Sequence, residues 1–269
     1  MWNHGEPTIF TPTNPRMNAT PCLRYTKLSI TPDDRLMLVA GGSVYGGTRK
    51  LKSRIPRVAF SKDGHEWTAT RKVLSEGEWL WRVTWHDGRA YGASYNLWPI
   101  KGPDIPEDER TLKLYTSKEG LDWHLLATLA VPNKPNETTL RFLASGEMMA
   151  LVRRESGNRR GWVGTSKPPF AEWSWKEATL KLGGPNFIQL PDGSLIAGSR
   201  GPGKEDDGTH CILARLTADS YEPILELPSG GDCSYPGLVW HEGLLWVSYY
   251  SSHEGKASIY LAKVRLPSK

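Results

Sequence analysis

Turn-forming residue pairs recur at a spacing of roughly 50 residues along the chain, and each pair lies between two short apolar runs. The pairs are Asp33-Asp34, Asp87-Gly88, Ser145-Gly146, Asp192-Gly193 and Glu242-Gly243. Asp and Gly suit these positions because a tight hairpin turn needs residues that tolerate a left-handed backbone. A hairpin repeated at this spacing is typical of β-propellers, in which each blade is one antiparallel sheet.

A second repeat supports the same architecture. Residues 61–67 and 117–123 share the spacing S-x-[DE]-G-x-x-W, and a degenerate third copy lies around residues 166–173. In such a turn the acid and Ser bond the local backbone, Gly takes the left-handed position and Trp packs beneath. No segment shows the period of an amphipathic helix. We therefore predict an all-β fold, a single β-propeller domain over residues 1–269 built from four-stranded antiparallel blades.

Five blades are visible in the sequence, and a six-bladed relative without its first blade would look similar. The predicted blades span residues 22–74, 79–130, 135–181, 184–227 and 232–266. The last blade lacks a fourth strand of its own, and we expect residues 8–10 to supply it and so close the ring.

Composition excludes some classes of partner. Lys and Arg total 34 and Asp and Glu total 29, which gives a formal net charge of +5. The basic residues are dispersed, so the charge favours one small anionic ligand over a nucleic-acid-binding stripe. The 12 Trp and 10 Tyr residues have two explanations, packing between blades and stacking on sugar rings. We expect a carbohydrate partner, no nucleic acid, and a monomer.

The sequence gives no sign of a cofactor or a membrane segment. Cys22, Cys211 and Cys233 have neither CxxC nor Cys/His metal spacing, so we expect reduced thiols and no metal or other cofactor. No apolar stretch approaches the roughly 18 residues of a spanning helix, and residues 1–20 lack the apolar core of a signal peptide. The expectation is a soluble chain, cytoplasmic as given and secreted if a leader precedes it.

Candidate site residues lie where each innermost strand begins and each second strand ends, because these points of a propeller surround the central axis. Antiparallel pairing should bring Glu137 and Arg153 side by side. Arginines that converge on the axis would form a carboxylate clamp, since a planar guanidinium pairs with a carboxylate in bidentate fashion. The predicted substrate-binding residues are Arg24, Arg82, Arg153 and Arg200. Further axial residues are Tyr95, Asn186, Tyr235 and Tyr249.

These features together resemble the sialidase (neuraminidase) family. The heptapeptides are similar to its Asp boxes, or BNR repeats, and residues 24–28 are similar to the strand that carries the first arginine of its triad. Asn136-Glu137 with Arg153 matches the family's "NE…R" hairpin. Residues 234–238 resemble the last-blade motif with the tyrosine nucleophile, and Arg200 is the best match for the third arginine.

The resemblance implies a retaining mechanism in which arginines hold the sugar carboxylate. Glu137 would draw the proton from Tyr235, and Tyr235 would attack the anomeric carbon. The family's acid/base aspartate follows the first hairpin, but residues 43–56 contain no Asp or Glu here. Glu76, Glu78 and Asp232 are the alternatives within the chain, and a first blade absent from this sequence is another source of the acid. Asp232 is the candidate that we retain.

The function expected from the sequence is a sialidase-like glycoside hydrolase that cleaves a terminal acidic sugar. One alternative is a non-catalytic glycan-binding propeller, which the missing loop acid favours. Another is a hydrolase of a different sugar that uses axial carboxylates. It needs two or three such groups, and only Glu137 is well placed.

Overall fold

The computed structural model describes residues 22–45, 51–96, 110–202 and 208–266. Short runs rich in Val, Leu, Ile, Trp and Tyr with polar turns between them form strands throughout this part of the chain, and it contains no helix. The strands are β1 (Cys22–Ile30), β2 (Leu36–Tyr45), β3 (Leu51–Ser61), β4 (Arg71–Lys72), β5 (Glu78–His86), β6 (Arg89–Asn96), β7 (Leu112–Ser117), β8 (His124–Leu129), β9 (Pro135–Phe142), β10 (Met148–Arg154), β11 (Arg160–Ser166), β12 (Ser174–Lys181), β13 (Gly183–Gln189), β14 (Leu195–Pro202), β15 (Thr209–Leu216), β16 (Tyr221–Glu226), β17 (Cys233–His241), β18 (Leu244–Ser251) and β19 (Ser258–Val264).

These strands form five antiparallel sheets arranged in a ring, a five-bladed β-propeller. Each sheet is a meander in chain order, and the innermost strands are β1, β5, β9, β13 and β17. The all-β prediction and the predicted blade boundaries are confirmed, since each sheet begins and ends within a few residues of its predicted limits. In the described residues the fifth sheet has three strands, β17 to β19. Residues 8–10 lie outside the described residues, so their role as its fourth strand stays a prediction.

The five predicted hairpin turns join the first and second strands of the blades. Asp87 and Gly88 have φ of 46° and 71°, and Glu242 and Gly243 have φ of 50° and 73°. Two consecutive positive φ values are those of a type I′ turn, whose twist matches that of the flanking strands. The turn residues therefore fix where each blade folds back.

The heptapeptides form the loops between the third and fourth strands. Asp63 Oδ1 accepts the backbone N–H of His65 at 2.8 Å, and the Trp67 indole donates to the Gly64 carbonyl at 3.0 Å. The Trp123 indole makes the same contact at 3.1 Å, and so does that of Trp173. Each loop thus carries a tryptophan that ties it to its own backbone.

In the described part of the chain, four apolar cores lie between successive blades, from the first and second to the fourth and fifth, because the facing sheets bury their apolar sides against each other. In each core, fully buried side chains from two blades meet. Representative pairs are Met37 with Leu80, Leu114 with Leu140, Leu151 with Phe187, and Leu213 with Leu245.

The junction between the fifth and first blades is different. Leu28 and Ile30 of β1 are 58% and 65% exposed, and Val239 and Leu261 of the fifth blade are 59% and 62% exposed. Leu28, Val239 and Leu261 line a shared cavity of about 640 Å³ that reaches the axis. In the described residues, these two blades therefore meet near the axis and leave their outer faces uncovered.

Candidate active site

Every innermost strand carries a β-bulge near its start, where two of its residues lie opposite one residue of the second strand. A bulge re-aims side chains that regular alternation would place elsewhere. The first bulge residues are Tyr25, Trp81, Asn136, Gly184 and Tyr235, and the second are Thr26, Arg82, Glu137, Pro185 and Pro236. The five bulges surround the axis and form the floor of the candidate site.

Two tyrosines at these bulges have an unusual backbone. Tyr25 and Tyr235 have φ of 57° and 56°, a region that bulky residues rarely adopt. Gly184 occupies the equivalent position with a φ of 58°. Such strained positions cluster at functional sites, where the surrounding structure holds them in place.

Glu137 is the centre of the polar contacts. Its side chain is buried, and Oε1 accepts a hydrogen bond from the Tyr235 hydroxyl at 2.8 Å. Oε2 accepts from Arg153 Nη1 at 2.7 Å and from the Gly184 backbone N–H at 2.8 Å. Arg153 lies directly opposite the bulge that contains Glu137, so the hairpin brings the pair together as the sequence predicted. Oε1 of Glu137 therefore faces the Tyr235 phenol, while Arg153 and Gly184 hold Oε2 in place.

The Tyr235 ring lies in an aromatic cluster. Its centroid is 5.2 Å from that of Trp81, 5.4 Å from that of Tyr25 and 5.6 Å from that of Tyr250. Burial raises the pKa of the Tyr235 phenol well above its usual value, and the Glu137 carboxylate raises it further. The phenol is therefore neutral at physiological pH, and its proton points at a base.

Lys27 is the cation nearest to this cluster. Its side chain is 9% exposed, and Nζ lies 4.3 Å from the centroid of the Trp81 ring and 5.0 Å from that of Tyr235. Nζ also donates to the Tyr25 carbonyl at 3.2 Å. Burial, and then the charge of Arg82, lowers the pKa of Lys27 to about 7. Lys27 is not among the site residues predicted from the sequence. The extra residue of the bulge between Arg24 and Lys27 changes which side chains of β1 face the axis, and regular alternation does not show this.

Arg153 and Arg200 line one cavity of about 660 Å³ beside the cluster. Arg153 Nη2 lies 3.4 Å from Glu155, and Arg200 Nη1 lies 3.4 Å from Asp232 Oδ1. Asp232 also accepts the Tyr250 hydroxyl at 2.7 Å. Asp232 is thus connected to Tyr235 through the ring of Tyr250. The other basic residues of the cavity wall are Arg110, Lys134, Arg154, Arg159 and Lys181.

The structure does not bring Arg24 and Arg82 into that cavity, so the expected convergence of four arginines is not seen. Arg24 precedes the bulge and is exposed, with Nε donating to Cys22 Sγ at 3.3 Å. Arg82 occupies the second bulge position and donates to the Pro236 carbonyl at 3.2 Å on the axis.

The remaining acid candidates differ in accessibility. Glu78 is buried within the second blade, where it pairs with Lys113 at 2.5 Å and accepts the Ser94 hydroxyl at 2.6 Å. Glu76 is exposed. Residues 46–50 of the loop without acidic residues lie outside the described residues. Among these candidates, Asp232 is the one connected to Tyr235.

The described part of the chain contains neither a metal-binding cluster nor a membrane-spanning helix. Residues 22–45, 51–96, 110–202 and 208–266 contain no group of three or more His, Cys, Asp or Glu side chains placed to hold a metal. The same part of the chain contains no helix long and apolar enough to cross a bilayer.

Comparison with known proteins identifies the fold. No protein-family model and no curated protein sequence matches the chain. The endo-arabinase of Bacteroides thetaiotaomicron aligns over 91% of this chain and 95% of its own, with a TM-score of 0.61 and 14% identity. The GH93 α-L-arabinofuranosidase of Fusarium graminearum aligns over 91% and 76%, with a TM-score of 0.62 and 14% identity. A Hadza microbial sialidase aligns over 91% of this chain and 53% of its own, with a TM-score of 0.65 and 16% identity. These solved neighbours include propeller glycoside hydrolases of several substrate classes, and at these identities the likeness shows a shared fold.

Proposed function

We propose that this protein is a glycoside hydrolase of the sialidase type, which removes a terminal acidic sugar through a tyrosine nucleophile. The observation that carries the proposal is the 2.8 Å hydrogen bond from the Tyr235 phenol to the buried carboxylate of Glu137. A nucleophile within hydrogen-bond reach of a base that a third group orients is the general signature of covalent catalysis. Here Arg153 is the third group.

The reaction takes two displacement steps. In the first, the Tyr235 oxygen attacks the anomeric carbon while its proton passes to Glu137, and the bond to the leaving-group oxygen breaks as an acid protonates that oxygen. In the second, the deprotonated acid takes a proton from water as the water oxygen attacks the same carbon, and the released Tyr235 recovers its proton from Glu137. Two inversions give overall retention. Because the phenol pKa is raised, the proton has to leave as the new bond forms.

A neutral nucleophile suits an anionic sugar. A carboxylate nucleophile would repel the charge of an acidic sugar, whereas a neutral phenol does not. Most glycoside hydrolases use two catalytic carboxylates, and sialidases, with a tyrosine nucleophile, are an established exception. Positive charge from Arg153 and Arg200 lines the adjacent cavity. The ring of Tyr25, which is 47% exposed, and the partly exposed ring of Tyr250 offer faces on which a sugar can stack, whereas Trp81 is 1% exposed and packs against Tyr235.

We assign the general acid to Asp232. Its carboxylate is 71% exposed and so is accessible to a bound substrate, and the Tyr250 hydroxyl holds it beside the aromatic cluster. Arg200 pairs with it across 3.4 Å, so substrate binding at Arg200 would release Asp232 from its ion pair.

The experiment is a panel of aryl glycosides that carry a sialic acid, a uronic acid, arabinofuranose or xylose. The wild type should release aryl alcohol from an acidic member, and Tyr235→Phe should lower that rate by about a thousandfold or more. Tyr260→Phe is the matched control, because it removes another 2.8 Å hydroxyl–carboxylate bond, to Glu254, far along the fifth blade. Release from neutral sugars only, or an equal rate for Tyr235→Phe, would refute the proposal.

A glycan-binding propeller without activity is the second candidate. It is favoured by the absence of Asp and Glu from residues 43–56, because that stretch then offers no acid to protonate a leaving group. An acidic sugar would then raise the thermal unfolding midpoint while chromatography detects no product. Product formation from the same sugar would exclude this candidate.

A further inference from the structure

Three basic side chains from three blades meet on the propeller axis below the aromatic cluster. Lys27 comes from β1, Arg82 from β5 and Arg141 from β9, and all three line the cavity of about 640 Å³ at the junction of the fifth and first blades. Asn186 of β13 also lines it. This cavity differs from the one beside Arg153 and Arg200.

The hydrogen bonds of these cations go to neutral acceptors. Arg82 Nη2 donates to the Pro236 carbonyl at 3.2 Å, and Asn186 Nδ2 donates to the same oxygen at 2.9 Å. Arg141 donates to Asn186 Oδ1 at 3.0 Å and to the Leu140 carbonyl at 2.7 Å. The buried Nε of Arg82 has no acceptor among the described residues. One guanidinium donor is therefore buried without an acceptor.

The charges also lack a counter-ion. Within the described ranges, none of the three cations forms an ion pair with a carboxylate, whereas other cations of the chain do, such as Lys113 with Glu78. Glu137 lies close enough to affect Lys27 and Arg82, but its oxygens are bonded to Tyr235, Arg153 and Gly184.

Burying like charges together without an anion is costly. Burial, and then the charge of Arg141, lowers the pKa of Arg82 to about 9, which still leaves it protonated at neutral pH. The axis therefore carries several positive charges that the described protein groups do not neutralise.

We propose that this cavity binds a small oxyanion, which links the first three blades at the axis. Oxyanion chemistry fits because planar guanidinium groups pair with two oxygens of a sulfate, phosphate or carboxylate at once. Lys27, whose pKa is about 7, adds a third positive contact from the first blade when it is protonated. Such an ion would offset the repulsion among the three cations and so stabilise the contact of the first three blades at the axis. Anion binding here needs neither Glu137 nor Arg153 and does not require the proposed catalysis, although Tyr235 also lines the cavity.

The oxyanion has two sources, a free inorganic anion or the carboxylate of an acidic sugar. Both present the same oxygens to Arg82 and Arg141. Tyr235 lines the same cavity, and Lys27 Nζ lies 5.0 Å from the centroid of its ring, so a sugar held here would lie next to the proposed nucleophile.

The test is thermal unfolding in chloride, sulfate and phosphate at matched ionic strength. At a hundred times its Kd, a bound oxyanion should raise the wild-type midpoint by about 5 °C over chloride. Arg82→Gln should abolish this increment. Arg71→Gln removes an exposed arginine from the edge strand β4 and should keep it. Arg141→Lys retains the positive charge but loses the planar guanidinium that pairs with two oxygens, so it should keep only part of the increment. This variant provides the test if Arg82→Gln does not fold. No increment over chloride, or an equal increment in Arg82→Gln, would overturn the proposal.

Calorimetric titration with N-acetylneuraminic acid separates the two sources. If the sugar carboxylate occupies the cavity, sulfate should compete with it and Arg82→Gln should bind it at least tenfold more weakly. If a free anion is the occupant, sulfate should leave sugar binding unchanged while the midpoint increment persists.

Discussion

Replacing Lys27 with Met should change how the stability of the protein depends on pH. Lys27 has an ordinary pKa of 10.5, and in the folded protein burial and the charge of Arg82 lower it to about 7. Between these two pH values the unfolded chain binds a proton that the folded chain does not. The free energy of unfolding therefore rises with pH over this window, and the rise is lost as pH falls through the folded pKa.

The size of this effect follows from the shift from 10.5 to about 7, which corresponds to about 5 kcal/mol as an upper bound. Lys27→Met removes the titrating group but keeps an unbranched apolar stem in the same space. It also removes the contact of Nζ with the Trp81 ring, which contributes about 1 kcal/mol. We expect the variant to be more stable than the wild type at pH 6 and nearly equal to it at pH 10.

The assay is urea denaturation of both proteins at pH values from 6 to 10 in a chloride buffer. The difference between wild type and variant isolates Lys27, because every other titrating group is common to both. Lys263→Met is the control, since that Nζ lies 4.0 Å from the Trp246 ring but the residue is exposed. Curves for wild type and Lys27→Met that run parallel from pH 6 to pH 10 would refute the reasoning.

Three further predictions concern packing and the proposed acid. Leu140 is 1% exposed between the second and third blades, so Leu140→Ala opens a cavity there. Urea denaturation should show a free energy of unfolding lower by about 2–5 kcal/mol. Leu125→Ala on the surface is the control and should cost about 0.5 kcal/mol or less. Gly164→Ala should cost about 1–3 kcal/mol in the same assay, because its Cβ would lie 2.3 Å from the Trp175 ring; an unchanged midpoint would contradict this. Asp232→Asn should slow the hydrolysis of aryl glycosides with poor leaving groups by about a hundredfold and that of glycosides with good leaving groups far less. An equal loss of rate for both kinds of glycoside would show that Asp232 is not the general acid.

The blade architecture could be read from the sequence because its signals are local. A pair such as Asp87-Gly88 specifies its own turn, and each turn fixes the two strands beside it. The contact between Glu137 and Arg153 could be predicted for the same reason, since one hairpin holds both residues. These elements depend on few long-range contacts.

The axis-facing surface is harder to predict, because a bulge of one residue changes which side chains face the axis. Strict alternation places Arg24 at the axis, but the bulge at Tyr25 leaves Arg24 exposed and buries Lys27. Trp81 of the second blade and Tyr25 of the first meet Tyr235 of the fifth, so these contacts depend on how the blades pack around the ring. Local patterns do not encode that packing.

The central claim is that Tyr235 forms a covalent bond to the sugar. The most direct measurement is mass spectrometry of proteolytic peptides after rapid acid quenching of the wild type during turnover of an aryl sialoside. The account predicts that the peptide containing Tyr235 gains the mass of the sialosyl group, and that Tyr235→Phe shows neither the adduct nor turnover. Turnover without an adduct, at a rate that Tyr235→Phe retains, would contradict it.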